Sequence, residues 1–126
     1  MAIEAIHPAG VHPATGYSHA VRAGRTLYVS GQVPKDPEDR IVAGIDSQVR
    51  QVFANLQRVL EAAGASFADV VKMTTFLTDA GHFDTWRRVR GELVGEPYPA
   101  STLVVVDALS YPEYLVEIEA VAVLDG

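Results

Sequence analysis

The stretch from Ser47 to Ala63 constrains the fold of this chain more than any other. Val49, Val52, Phe53, Leu56, Val59, Leu60 and Ala63 recur at the intervals that stack side chains along one face of an α-helix. A stripe this regular has to be buried, so the rest of the chain must supply a surface that covers it. Ser47 stands where a side chain can cap the first turn. Gly64 stands where the left-handed residue that ends a helix belongs.

The covering surface is written on both sides of that helix as β-rich runs. YSHAVRA (17–23), the turn signal Gly24-Arg25 and TLYVSG (26–31) read as a hairpin. Residues 1–16, with HPAGVHPATG at 7–16, read as an irregular lead-in with one short strand near 3–6. PKDPEDR (34–40) is a polar loop. VVKMTTFLTD (70–79) is β-branched and reads as a strand. Residues 82–94 form a second, weaker helix, with Phe83, Trp86, Val89 or Arg90, and Leu93 on one side and Gly91 inside it. STLVVVDAL (101–109) and YLVEIEAVAVL (114–124) are two further strands.

The order ββ, α, β, α, ββ predicts an α+β domain, one mixed sheet of five or six strands with both helices on one face. Nothing from the chain is left to cover the other face. With strands as apolar as LVVV, that face predicts burial by self-association into a closed homo-oligomer.

The 126 residues fit one domain, 1–126, and the balance of 48% hydrophobic to 21% charged residues is that of a globular protein. Ten Lys and Arg against sixteen Asp and Glu give a net charge of −6, which disfavours nucleic-acid and anionic-membrane partners. There is no cysteine, which excludes disulfides, thiolate nucleophiles and cysteine-ligated metals. No signal segment and no apolar run of membrane-spanning length is visible. These features predict a soluble cytoplasmic protein.

Glu117 and Glu119 stand two apart in LVEIEAVAV, so strand period puts both on one face, opposite Val116, Ile118 and Ala120. On spacing alone they read as a solvated strand face. Buried at an interface, one of them gains a raised pKa and the means to act as a general acid or base. None of the four histidines pairs with another at the i, i+4 spacing of a helical metal site, and no metal is expected. His19 shares a face with Tyr17 and reads as a satisfied surface histidine, with lining a pocket as the alternative. Ser30-Gly31 ends a strand, where the glycine admits close approach to the backbone. No G-x-S-x-G elbow and no phosphate-binding glycine pattern is present. Arg87, Arg88 and Arg90 read as a solvated helix face, or as one inward guanidinium able to bind a carboxylate through two parallel hydrogen bonds. Trp86 beside them reads as core.

GYSHAVRAGRTLYVSGQVP (16–34), QVRQVFANLQRVLEAAGASFADVVKMTTFLTD (48–79) and the ending YPAS…VEIEAVAV together resemble the Rid family of reactive intermediate deaminases, also called YjgF-like proteins. The resemblance runs in unbroken order from Tyr17 to Leu124. It implies the chorismate-mutase-like fold assembled as a barrel-shaped homotrimer, with small-molecule sites in the clefts between subunits. It also implies cofactor-free hydrolysis of enamines or imines to keto acids and ammonia. Tyr17 falls on the family's pocket tyrosine and Ser30-Gly31 on its Ser-Gly pair. Glu117 falls on the glutamate that holds or activates the attacking water.

The chain departs from that pattern at the substrate carboxylate. The resemblance implies an arginine after Pro-Ala, but here Pro99-Ala100 is followed by Ser101, and the frequent cysteine two positions later is Leu103. A neutral serine cannot replace a charge-assisted pair, whose loss in a desolvated cleft costs on the order of 2–5 kcal/mol. Trp86 and Arg87 replace a frequent Val-Asn, so Arg87 is a candidate relocated cation and Trp86 a candidate pocket wall. The expected function is therefore a Rid-type deaminase with a substrate shifted from small 2-imino acids. The alternative is a binding protein of the same fold, with RNA cleavage disfavoured by the net negative charge.

Overall fold

The computed structural model describes residues 2–125. Six strands form one sheet: β1 (Ile3–Ile6), β2 (Ala20–Ala23), β3 (Thr26–Gln32), β4 (Val70–Leu77), β5 (Ala100–Val105) and β6 (Val116–Val123). Their spatial order is β1-β2-β3-β6-β4-β5. Every pairing is antiparallel except β4–β5. Two helices, α1 (Ile45–Ala62) and α2 (Phe83–Leu93), pack on one face, as the sequence predicts for a mixed α+β domain. The short strand expected near 3–6 is β1, which pairs along β2 as the sheet's outer edge. Among the described residues no helix is long and apolar enough to cross a membrane.

The helix stripe does what its spacing requires. Val49, Val52, Phe53, Leu56, Val59 and Leu60 are all buried against Leu27, Val29, Met73, Ile118 and Ala122 of the sheet. Each fully buried side chain of this kind contributes roughly 1.5–3 kcal/mol of transfer free energy. Gly64, at φ 78°, ends the helix as expected. Its N–H donates to the Glu61 carbonyl (3.0 Å) and that of Ala65 to the Leu60 carbonyl (2.8 Å), which satisfies the last turn. Ser47 does not cap α1. The helix starts two residues earlier, after Gly44, whose φ of 88° turns the chain in and whose carbonyl accepts from Gln48 N (2.9 Å).

β2, β5 and β6 are shorter than the β-rich runs that encode them, and β4 stops two residues short of its run. Tyr17–His19 precede β2, whose pairing begins at Ala20. After Val105 the chain loops back to β6. Tyr114 and Leu115 stay outside β6 because their N–H groups go to the Tyr111 carbonyl (3.0 Å) and to Gln48 Oε1 (2.8 Å).

Strand parity then sorts the sheet. Val116, Ile118, Ala120 and Ala122 of β6 point into the helix-covered core. Glu117, Glu119, Val121 and Val123 point to the open face, where their cross-strand partners include Phe76, Thr74 and Tyr28. Tyr28 is 54% exposed there, and Val104 and Val123 are exposed with it. This face carries exposed apolar side chains, and β5 is the sheet's other edge.

Candidate active site

A β-bulge builds the centre of the site. Val29 pairs with Ala120 and Gln32 with Ile118, so Ser30 and Gly31 together oppose Glu119 alone. The extra residue lays the Gly31 backbone against the side chain of Glu117. A Cβ at Gly31 would sit 2.8 Å from Glu117 Cδ and 3.0 Å from its Cγ, and closer still to the carboxylate oxygen. Gly31 is thus glycine for room, not for φ, since its backbone is not in the left-handed region. Burial pushes the Glu117 carboxyl above the usual carboxylate range, and the like charge of Glu119 adds to the shift.

Ser30 and Tyr17 sit at the same end of the sheet. The Ser30 hydroxyl donates to the Ser18 carbonyl (2.6 Å) and its N–H to the His19 carbonyl (2.9 Å), which ties the Tyr17 loop to the bulge. The Tyr17 phenol is raised above its ordinary value, chiefly by burial, and the charge of Glu117 acts on it in the same direction. It therefore remains a neutral O–H donor at neutral pH.

His19 is not at the surface. It is buried, with Nε2 2.7 Å from the His12 carbonyl and Nδ1 3.3 Å from Gln32 Nε2. A carbonyl only accepts, so the proton is on Nε2 and Nδ1 accepts from Gln32. Gln32 Nε2 also donates to the Ser30 carbonyl (3.1 Å). This network fixes the bulge from the core side.

A cleft of about 460 Å³ opens beside Tyr17, between the Tyr17 loop, the loop after β3 and the loop before β6. His12, Lys35, Asp39, Tyr111 and Tyr114 line it with Tyr17. His12 is 2% exposed, and neither ring nitrogen has a partner among the described residues. Burial, with the nearby charges of His19 and Lys35, lowers its pKa from 6.5 to about 4.

The fold therefore holds His12 neutral while the unfolded chain protonates it below pH 6.5. Stability from this group is complete above that value and is lost as pH falls toward 4. Denaturant unfolding at pH 7.5 and 4.5 is expected to show a loss of about 2–3 kcal/mol in the native protein that His12→Leu does not share. Equal losses in both proteins would contradict this.

The remaining sequence-selected residues lie on the other side. Ser101 and Leu103 pair with Met73 and Thr75, whose side chains face the helices. Ser101 is exposed on the edge strand, while Leu103 is partly buried against the core. Trp86 is buried in that core beneath Arg90, whose guanidinium carbon lies 4.9 Å from the ring centroid. Arg88 joins Asp46 and Glu92 at the surface. Arg87 is exposed and makes no ion pair among the described residues. One chain thus brings Tyr17, Ser30, Gly31 and Glu117 together and leaves Trp86, Arg87, Ser101 and Leu103 apart from them.

Sequence reasoning missed two residues that hold this arrangement. Gln48 is buried, donates to the Val42 (3.0 Å) and Glu113 (2.8 Å) carbonyls and accepts from Leu115 N–H. Asn55 is also buried and donates to the Val33 and Lys35 carbonyls (3.0 Å each). The signal was present, since both fall on the helix face of Val52 and Val59. Polar residues inside an apolar stripe have to find buried partners.

The chain matches a known family over most of its length. The family model described as Endoribonuclease L-PSP matches residues 8–124. A RutC family protein of Pyrococcus horikoshii is 44% identical over 112 residues, which cover 87% of this chain and 88% of that protein. The human protein named 2-iminobutanoate/2-iminopropanoate deaminase is 36% identical over 109 residues, covering 85% of this chain and 79% of its own. The crystal structure of RidA from an Antarctic Psychrobacter superposes with a TM-score of 0.91 at 38% identity, covering 96% of this chain and 99% of that one. The chain belongs to this family, the Rid or YjgF/RidA family.

Proposed function

We propose that this protein is a cofactor-free deaminase that hydrolyses an imine or enamine to a keto acid and ammonia, in clefts between the subunits of a cytoplasmic homotrimer. The observation that carries the reading is the Glu117 carboxylate, partly buried on the open sheet face and laid against the Gly31 backbone. A carboxylate with a raised pKa takes a proton from water more readily than an ordinary one. Water attacks the imine carbon as Glu117 accepts its proton. Glu117 passes that proton to nitrogen to give the carbinolamine, then takes the hydroxyl proton and delivers it to the same nitrogen, so that the C–N bond breaks and ammonia leaves as the carbonyl forms. Tyr17 donates its phenol hydrogen to the substrate, and the Ser30-Gly31 backbone frames it. The naming of the similar human protein as a 2-iminobutanoate/2-iminopropanoate deaminase supports the reaction class.

The apolar open face and bare β5 edge support self-association, which would also join the two separated groups of residues. In that arrangement Arg87, Ser101 and the accessible part of Leu103 supply a second wall from a neighbouring subunit, while Trp86 stays in the core. Serine at 101 has no charge for a carboxylate, which shifts the substrate away from small 2-imino acids. The same feature favours a second reading, a metabolite-binding protein that does not turn its ligand over. The test generates several 2-imino acids, small and aromatic, with an amino-acid oxidase while semicarbazide competes for each. The deaminase reading expects semicarbazone formation to fall as the protein is added. Unchanged trapping for every substrate would overturn it in favour of the binding protein. Arg87→Ala in the same assay should lower kcat/KM by about tenfold. An unchanged rate would remove Arg87 from the site.

The carboxylate carries a stability cost as well. A raised folded pKa means that Glu117 favours the fold below the ordinary carboxylate range and weakens it as pH rises through the shifted value. Glu117→Gln is therefore expected to unfold at a higher temperature than the native protein at pH 7, with the difference closing toward pH 4. A lower midpoint for the variant at pH 7 would contradict the burial argument.

A further inference from the structure

Lys35 is an unusual residue for the wall of a cleft. Its side chain is only 16% exposed, and its ammonium lies 5.1 Å from the ring centroid of Tyr111 and 3.2 Å from Asp39 Oδ1. Three tyrosines, 17, 111 and 114, line the same space, and the last two meet edge to face at 5.1 Å. The backbone of Lys35 is held on every side. Its N–H donates to the Val33 carbonyl (2.8 Å), its carbonyl accepts from Asn55 (3.0 Å), and it bridges to Ile41. The turn that follows is also fixed, since Asp36 Oδ1 accepts from the N–H groups of Glu38 and Arg40 at 3.0 Å each. Only the lysine side chain is free to adjust.

We propose that this cleft binds an aromatic carboxylate, with the Lys35 ammonium as the partner of its carboxylate and the tyrosines as the walls for its ring. Resting on the deaminase reading, this makes Lys35 the residue that anchors the substrate in place of an arginine on β5. Three features converge on that ligand class. The volume of about 460 Å³ suits a small molecule with a single ring. Aromatic walls favour a flat apolar body, and an ammonium over a tyrosine face is attracted there before any ligand arrives. His12, buried with both ring nitrogens unpartnered, adds polar capacity that the chain itself leaves unused. Asp39 is the resident partner of Lys35. Its side chain is half exposed, so a carboxylate entering the cleft competes with it for the ammonium.

The test measures binding of phenylpyruvate, an aromatic keto acid, by calorimetry, so it reads the cleft without requiring turnover. Lys35→Met should weaken binding about tenfold or more, and Lys35→Arg should retain it within a few-fold. Asp39→Asn should tighten it, because the competing charge is gone. Asparagine tolerates the left-handed backbone at that position (φ 68°), so the fold is preserved. 2-Ketobutyrate, which lacks the ring, should bind at least about tenfold more weakly than phenylpyruvate. Equal affinity of the native and Lys35→Met proteins would overturn the proposal, as would absence of phenylpyruvate binding to the native protein. If the imine assay shows no turnover while Lys35→Met still loses phenylpyruvate, the deaminase reading fails and the anchor stands.

Discussion

Gly31→Ala is expected to lower kcat/KM for imine hydrolysis by about a hundredfold or more while leaving the protein folded. Gly31 has no left-handed backbone to forfeit, so alanine carries no conformational strain there. What it introduces is a methyl group 2.8 Å from Glu117 Cδ and 3.0 Å from Cγ, distances that no carbon pair sustains. The bulge is held by the Ser30, His19 and Gln32 hydrogen bonds, so the glutamate side chain gives way rather than the backbone. A carboxylate displaced by an ångström no longer orients its water, and reactions of this kind lose rate steeply with such misplacement. The unfolding midpoint measured beside the rate separates displacement from misfolding. An alanine variant with native kcat/KM would remove the Gly31–Glu117 contact from the mechanism.

Gln48→Leu is expected to have the largest effect on stability, about 3–5 kcal/mol by denaturant unfolding. Leucine matches the volume and apolar character of the stripe, so propensity and packing alone predict a neutral or favourable change. The cost comes from what the amide leaves behind. The Val42 and Glu113 carbonyls and the Leu115 N–H all lose their partner beside the core. Each stranded group costs about 1–3 kcal/mol. Two of the three lie in the segment that leads into β6, so the approach to Glu117 loosens as well. A loss under about 1 kcal/mol would mean that water replaces the amide at this junction.

The parts of the fold that rest on side-chain period are legible in the sequence. The stripe from Val49 to Leu60 is buried as its spacing requires, Gly64 ends the helix, and parity along β6 separates Glu117 and Glu119 from Val116 and Ile118. What was hidden depends on backbone bonding or on distant partners. The bulge at Ser30 and Gly31 is a property of how β3 pairs with β6, and nothing in the residues 26–32 alone marks the extra residue. Ser47 has a capping side chain, yet Gly44 starts the helix because a positive φ turns the chain into its first turn. His19 was read as exposed because its partners, the His12 carbonyl and Gln32, stand 7 and 13 residues away. Lys35 sits in a polar loop that reads as solvent-facing until Tyr111 is folded over it. Resemblance to the Rid family picks out Gly31 and Glu117 separately, and only the folded chain brings them into contact.

The most direct measurement is the initial rate of keto-acid and ammonia release from an imine generated in situ at pH 7, with the native protein and Glu117→Gln side by side. Glutamine keeps the shape that Gly31 accommodates and removes only the proton acceptor. The account predicts rate enhancement by the native protein and its loss, by about a hundredfold or more, in a variant that is folded and at least as stable. A Glu117→Gln protein that hydrolyses the imine as fast as the native one would contradict it, because the carboxylate would then have no part in the chemistry.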